Sequence, residues 1–396
     1  MEDDMWKDAL RIVVEARTAS TSLLQRRLRI GYGRSARLIE DMEEQGIIGK
    51  ADGSRPREVL VDSFEEALQL APTSGSETER QKAVNAPLIT EPTRPWKLPS
   101  IELLSKTDDT NQVSLHDLVS VTKKSTNAPN LNVAVGFDAQ EKPQHIDLTV
   151  DSNLLIIGVP SSGKSSLVHS IITSLLFTNS PSHLKLIVID PSGLELNTYE
   201  NIPYLLTPVI NNTEKAISAL KWAVAETERR IKAIKAAQKR NSQEYNAANA
   251  DESMPEIVIV IDGLPQLMSY AYRDIEALVL HLAQRGRVAG IRLLLTTYNI
   301  TSEVLNKELL SLVPSVVSFK LMSEADSHSV LGTVGAEKLS KDGDMILRTK
   351  AMSQPRLVHG AFINSDEINK VTNYIREQDK PQYDDNIISQ PVQLRG

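Results

Sequence analysis

One stretch constrains this chain more than any other: GVPSSGKSS, from Gly158 to Ser166. Gly158, Gly163, Lys164 and Ser165 fit the spacing G-x-x-x-x-G-K-[ST]. A buried-strand pattern, NLLIIG, precedes it, and an apolar-periodic helix is predicted from Lys164. Strand, glycine-rich turn and helix in that order make a phosphate cradle. The glycines let the backbone curl so that its N–H groups face an anion, and the helix N-terminus adds positive potential. Lys164 reaches for β- and γ-phosphates and Ser165 for magnesium. The predicted nucleotide-binding set is Gly158, Val159, Pro160, Ser161, Ser162, Gly163, Lys164, Ser165 and Ser166, with ATP and Mg2+ as ligands.

The flanking sequence agrees. From about Leu131, buried-strand patterns (NVAVGFD, HIDLTV, LKLIVID, EIVIVID, IRLLLTT) alternate with helical stretches, one of them a charged run of one helix or two from Glu214 to Asn249. This alternation predicts an α/β fold with a mainly parallel sheet. Asp262 ends EIVIVID and is the expected magnesium-side carboxylate together with Ser165. Asp190, at the end of LIVID, is its competitor.

The first residues follow a different pattern. MWKDALRIVVEA, then STSLLQRRLRI with Ser20 as helix cap, then GYGRSARLIEDMEEQGII ending at Gly46, then a hairpin in GKADGSRPREVLV, predict a winged helix over residues 1–63. No acid lies between Glu15 and Glu40. Arg26, Arg27, Arg34 and Arg37, with Arg55 and Arg57 in the hairpin, are candidate contacts to double-stranded DNA. A solvated helix face in a protein-binding winged helix is the alternative. Residues 64–130 are expected to be linker and weakly structured chain, 131–378 the nucleotide-binding unit, and 379–396 a polar tail. The net charge of −7 gives no global sign of nucleic-acid binding, so any such surface is local. The absence of cysteine excludes disulfides and thiolate metal sites. No apolar run spans a membrane, and a cytoplasmic protein is expected.

These residues closely resemble one family. ASTSLLQRRLRIGYGRSARLIEDMEEQGIIGKADGSRPREVLV resembles the γ domain of the FtsK/SpoIIIE DNA translocases. SNLLIIGVPSSGKSS, LIVIDPSGLELNTYENIPYLLTPVI, LAQRGRVAGIRLLL and VHGAFI resemble its motor, and WKLPSIELL the segment before its α domain. The resemblance implies a RecA-like P-loop motor fold, hexameric rings around duplex DNA, recognition of short polar DNA sequences by γ domains, and a role in chromosome partition. Against that pattern, the γ-like segment comes first here, residues 105–135 are too short for the α domain, and no membrane span is seen. Gly263 stands where the family has the glutamate after the strand-end aspartate. Gln266 replaces an acid, Tyr298 and Asn299 a Gln-Arg pair, Ser192 a lysine, and Val316 and His328 arginines. Arg287 matches a family arginine and is the candidate finger toward a neighbour's nucleotide.

Glycine offers no side chain to orient or deprotonate water, a task worth about 10²–10⁴ in rate. The scaffold is intact while the hydrolytic positions are altered. The expectation is therefore a DNA-binding, ATP-binding protein with impaired hydrolysis, either a homo-oligomer or an inactive member of a mixed ring with an active motor. An active translocase using another base, and a non-enzymatic winged-helix regulator, are the alternatives.

Overall fold

The structure is a computed structural model that describes residues 2–28, 35, 38–39, 42–43, 46–49, 57–61, 63–64, 67, 95–106, 113–121, 129–298, 300–301, 304–340 and 342–389. Two compact units divide the chain, Met1–Ala86 and Pro87–Gly396.

In the first unit, α1 (Glu2–Ala16) and α2 (Thr21–Leu28) follow the predicted apolar spacing. Ala9, Leu10 and Val13 of α1 meet Leu24 of α2, with Ile39, Met42, Ile47, Ile48 and Val61 closing the core. The Ser20 hydroxyl accepts from the Leu23 N–H at 3.2 Å, which fixes the start of α2. Gly46 takes φ +72°, and the chain then pairs antiparallel at Ile48–Val59, while Ala19 pairs with Arg57. The Ile48–Val59 bridge joins the arms of the predicted hairpin, and the Ala19–Arg57 bridge ties it to the chain just before α2.

The second unit is built on a sheet of strands β1 (Val113–Ser114), β2 (Asn132–Asp138), β3 (Pro143–Asp147), β4 (Asn153–Ile157), β5 (Leu184–Ile189), β6 (Glu256–Ile261), β7 (Ile291–Thr297), β8 (Ser315–Ser318), β9 (Asp344–Arg348) and β10 (Arg356–Phe362). Their order is β3-β2-β10-β9-β8-β4-β7-β6-β5, with β1 attached to β10. From β5 to β8 every pairing is parallel. From β8 through β9, β10 and β2 to β3 every pairing is antiparallel. The sheet is thus mixed, and its parallel half carries the phosphate loop. The long connections needed for parallel pairing exist between β4 and β8, while short turns suffice for β2–β3 and β9–β10.

The helices of this unit are α3 (Leu115–Val121), α4 (Leu148–Asp151), α5 (Lys164–Thr178), α6 (Thr213–Ala236), α7 (Ser242–Ala248), α8 (Leu264–Ala289), α9 (Lys307–Leu312), α10 (Glu324–Leu331) and α11 (Ser365–Arg376). Alternate strand residues go to opposite faces. Leu154, Ile156, Leu186, Val188 and Val260 pack under α5. Leu155, Ile157, Ile187, Ile259, Ile261 and Leu293 pack under α6 and α8. Burial on both faces is why these strands read as unbroken apolar runs.

Several segments differ from expectation. HIDLTV is a strand only to Asp147, whose carboxylate accepts from the Thr149 N–H at 2.8 Å and starts α4. Within the stretch expected to be weakly structured, the Trp96 ring meets Tyr204 edge-on at 5.7 Å, and α3 buries Leu115 and Leu118. Past residue 379, Ile387 is fully buried in the core under α6 and α8, and the Asp384 N–H donates to the Leu206 carbonyl. Isolated apolar residues in polar sequence carry no periodicity, so their burial is invisible before the sheet is assembled.

Candidate nucleotide site

β4 delivers the chain into the loop, and Gly163, at φ +110°, starts α5. A Cβ on Gly163 would lie 2.9 Å from Phe319 Cε1, and one on Gly158 2.7 Å from Phe319 Cβ. Both positions therefore require glycine, because β8 and its continuation press against the loop. The Val159 N–H donates to the Lys320 carbonyl at 2.9 Å, tying the loop to that segment. The Lys164 ammonium donates to the carbonyls of Gly158 and Val159, each at 2.8 Å. Burial lowers its pKa, and the Asp262 charge opposes that. The hydroxyls of Ser162 and Ser166 are buried without a partner among the described residues. A cradle crowded against Cβ atoms, a lysine folded onto it and orphaned hydroxyl donors suit a bound phosphate chain.

Asp262 leaves the end of β6 with its Oδ1 accepting from the Thr296 hydroxyl at 2.6 Å. Burial pushes its pKa up. Thr296 pulls it down, the Asp190 charge pushes it up again and Lys164 pulls it down, and the net shift is upward. Asp190 is differently placed. Its oxygens accept from the N–H groups of Ser192, Gly193, Glu195 and Leu196 and from the Ser192 hydroxyl. Burial pushes this carboxyl up, but the Ser192 hydroxyl and the backbone donors outweigh it and hold it below the usual aspartate range. Asp190 is thus occupied as a turn former, whereas Asp262 is held by one hydroxyl donor, Thr296, with the Lys164 charge acting on it. A hydroxyl and a carboxylate are suitable oxygen donors for magnesium.

Of the altered positions, Gly263 adopts φ +97°, and a Cβ there would lie 2.9 Å from Gln266 Oε1. Ser192 caps Asp190, Val316 is buried in β8, His328 is exposed on α10, and Tyr298 is 54% exposed past the end of β7. Asn299 lies outside the described residues. Arg287 is exposed at the C-terminal end of α8, where its carbonyl accepts from Arg292 at 3.0 Å. It sits beside the first residues of β7, whereas Thr296 and Asp262 sit at the far end of β7 and β6.

Sequence reasoning missed Glu195. Burial and the charges of Asp262 and Asp190 push its carboxyl up, with the Ser165 hydroxyl opposing them. No local signal marks it, because β5 is separated from β4 by β6 and β7. In the first unit, Arg26 and Arg27 are exposed in the last turn of α2. Arg57 is half-buried and ion-paired with Glu43, so its guanidinium already has a carboxylate partner. Arg34, Arg37 and Arg55 lie outside the described residues.

Two family profiles match the chain: the FtsK/SpoIIIE family over residues 114–302 and the Ftsk gamma domain over residues 1–62. A protein of Clostridium acetobutylicum named DNA translocase FtsK is 39% identical over 287 residues, covering 71% of this chain and 38% of that protein. One of the same name from Listeria monocytogenes serovar 1/2a is 36% identical over 289 residues, with coverage of 71% and 38%. The chain therefore spans just over a third of these relatives' length. Among solved structures, the pCW3 conjugation coupling protein TcpA superposes with a TM-score of 0.58 at 19% identity, covering 88% of this chain and 86% of that one. The cytoplasmic domain of the Thermomonospora curvata type VII secretion ATPase EccC gives 0.59 at 20%, covering 71% and 36%. These likenesses show a P-loop ATPase fold. No helix among the described residues is long and apolar enough to cross a membrane. With both its gamma-domain and its P-loop segments matched, the chain belongs to the FtsK/SpoIIIE family.

Proposed function

We propose that this chain binds ATP with magnesium on the Gly158–Ser166 loop, binds double-stranded DNA through its N-terminal unit, and hydrolyses ATP weakly or not at all. Lys164 and the loop N–H groups hold the phosphates, and Ser165 with Asp262 faces the metal. Magnesium, when bound, neutralises the phosphate charge. The observation that carries the reading is Gly263: at φ +97° the backbone after Asp262 takes a left-handed turn and offers water no carboxylate. Gln266 Oε1 borders that position but is a far weaker base than a carboxylate.

Arg287 lies at the opposite end of β7 from Thr296, and seven residues of strand rise about 20 Å. Any nucleotide it contacts therefore belongs to another chain, which supports a homo-oligomer or a mixed ring with an active motor. Arg26, Arg27, Arg34 and Arg37 are the DNA contacts we favour, with Arg55 on the wing.

ATP binding and phosphate release should be measured on one purified sample with and without duplex DNA. Saturable binding with little release, lost in Lys164→Ala, is the expected result. Brisk DNA-stimulated release that Lys164→Ala abolishes would instead establish the second reading, an active translocase, which the name shared by the relatives favours.

A further inference from the structure

The turn after β6 leaves a space, and one side chain fills it. Gly263 has φ +97°, and a Cβ there would lie 2.9 Å from Gln266 Oε1 and 3.6 Å from Gln266 Cδ. The Gln266 amide therefore takes the room that a side chain at position 263 would use. Its surroundings are well tied. The Gly263 N–H donates to the Thr296 hydroxyl at 2.9 Å, and that hydroxyl donates to Asp262 at 2.6 Å. The Gln266 N–H donates to the Gly263 carbonyl at 3.0 Å. Leu264 and Leu267 are fully buried and seat the first turn of α8. The Gln266 side chain itself is exposed, so its amide meets water at the turn that carries Asp262.

An amide side chain carries an oxygen that accepts and an NH2 group that donates. It can hold a water molecule in a fixed orientation. It cannot take the water's proton, because a neutral amide is not a base near pH 7. Orientation is nevertheless much of what this chemistry needs. Catalysis of phosphoryl transfer is mostly positioning and electrostatics, and a glutamine orients the attacking water in some GTPases.

We propose that Gln266 orients the attacking water in whatever ATP hydrolysis this chain performs. This rests on the reading that the Gly158–Ser166 loop binds ATP. The water oxygen forms a bond to the γ-phosphorus, and the bond from that phosphorus to the β,γ-bridging oxygen breaks. ADP leaves with the bridging oxygen. One water proton stays on the attacking oxygen and the other passes to a second oxygen of the transferred phosphoryl group, so the products are ADP and dihydrogen phosphate. Gln266 Oε1 accepts a hydrogen bond from the water and aims it. Turnover stays low because no carboxylate receives the proton. At position 266 a carboxylate would stand on helical backbone, whereas at position 263 it would stand on a left-handed one.

The test uses the full chain with duplex DNA and compares wild type, Gln266→Ala, Gln266→Glu and Gly263→Glu. ATPγS binding and single-turnover ATP hydrolysis are measured on each. Gln266→Ala should slow hydrolysis about fivefold, the value of one hydrogen bond, with ATPγS affinity unchanged. Gln266→Glu should speed it at least about tenfold, and by more than Gly263→Glu, because a placed base supplies about 10²–10⁴. That gain over wild type should shrink below about pH 5, where a glutamate takes up its proton. Where wild type shows no measurable rate, a rate in Gln266→Glu supports the proposal and its absence overturns it. Rates of both Gln266 variants within about twofold of wild type, less than one hydrogen bond, overturn the role of Gln266 and leave ATP binding standing. Faster hydrolysis by Gln266→Ala means that the amide blocks water and also overturns it. A loss of ATPγS binding in Gln266→Ala marks a merely structural role and does the same. Brisk wild-type turnover that falls in Gln266→Ala supports Gln266 and removes only the reading of weak hydrolysis. Failure of wild type to bind ATPγS removes the nucleotide reading and this proposal together.

Discussion

The Gly263 N–H donates to Thr296 Oγ1 across 2.9 Å, and the same hydroxyl donates to Asp262 Oδ1 across 2.6 Å. One side chain at the end of β7 thus fixes both the backbone and the carboxylate at the end of β6. The position after Asp262 carries no side chain, and its backbone is held in a conformation that suits glycine.

On the proposed reading, a glutamate placed at position 263 has to adopt that left-handed backbone before it can act. Gly263→Glu and Gly263→Ala should each destabilise the protein by about 1–2 kcal/mol in urea unfolding, the usual cost of a left-handed non-glycine residue. ATP turnover of Gly263→Glu should rise by less than about tenfold, well short of the 10²–10⁴ that a placed base supplies. A hundredfold rise at unchanged stability would show that the turn relaxes and that the missing carboxylate alone sets the rate.

Asp190 predicts an acid dependence. Its carboxyl is held below the ordinary aspartate value, so ionisation in the fold contributes stability above that value and the contribution is lost as pH falls through the lower folded one. Asp190→Asn should cost about 1–3 kcal/mol at pH 7. The gap to wild type should hold down to about pH 5 and close below roughly pH 4. Urea midpoints at three pH values check this, and a gap that widens in acid contradicts it.

At the opposite end of β6 and β7, Arg292 pairs with Glu256 at 2.8 Å, and the two are only 2% and 0% exposed. Glu256 also accepts from the Ser242 hydroxyl. Arg292→Met leaves a buried carboxylate without its cation and should cost about 3–5 kcal/mol. Arg292→Met combined with Glu256→Leu should be less damaging than Arg292→Met alone. Chemical denaturation of the three proteins decides it, and additive losses would mean that the pair is not coupled.

For DNA, Arg26→Ala and Arg27→Ala should each weaken binding across sequences. Each should also reduce the slope of log K against log salt by about one unit. Arg57→Ala should leave that slope unchanged, because Arg57 is paired with Glu43. Fluorescence anisotropy at several salt concentrations separates these outcomes. A slope that falls only with Arg57→Ala would place the wing, not α2, on phosphate.

The sequence by itself determined the features whose atoms are contiguous in the chain. The loop from Gly158 to Ser166 is local, so its spacing was readable. So were the caps at Ser20 and Gly46, and the apolar runs of β4 through β7, whose burial on both faces leaves no polar alternation. Only the tertiary structure decided what depends on strand order. It gave the sheet its antiparallel half, packed Trp96 against the core and buried Ile387, which no period announces. It tied Asp190 into its own turn and gave Asp262 a single hydroxyl donor, Thr296, a difference the two strand-end aspartates do not show in sequence. It joined Thr296 to both Asp262 and Gly263, more than thirty residues away in the chain, by pairing β6 with β7. A hydrogen bond between distant segments leaves no pattern in either one, because each residue type is chosen by a neighbour that only folding supplies.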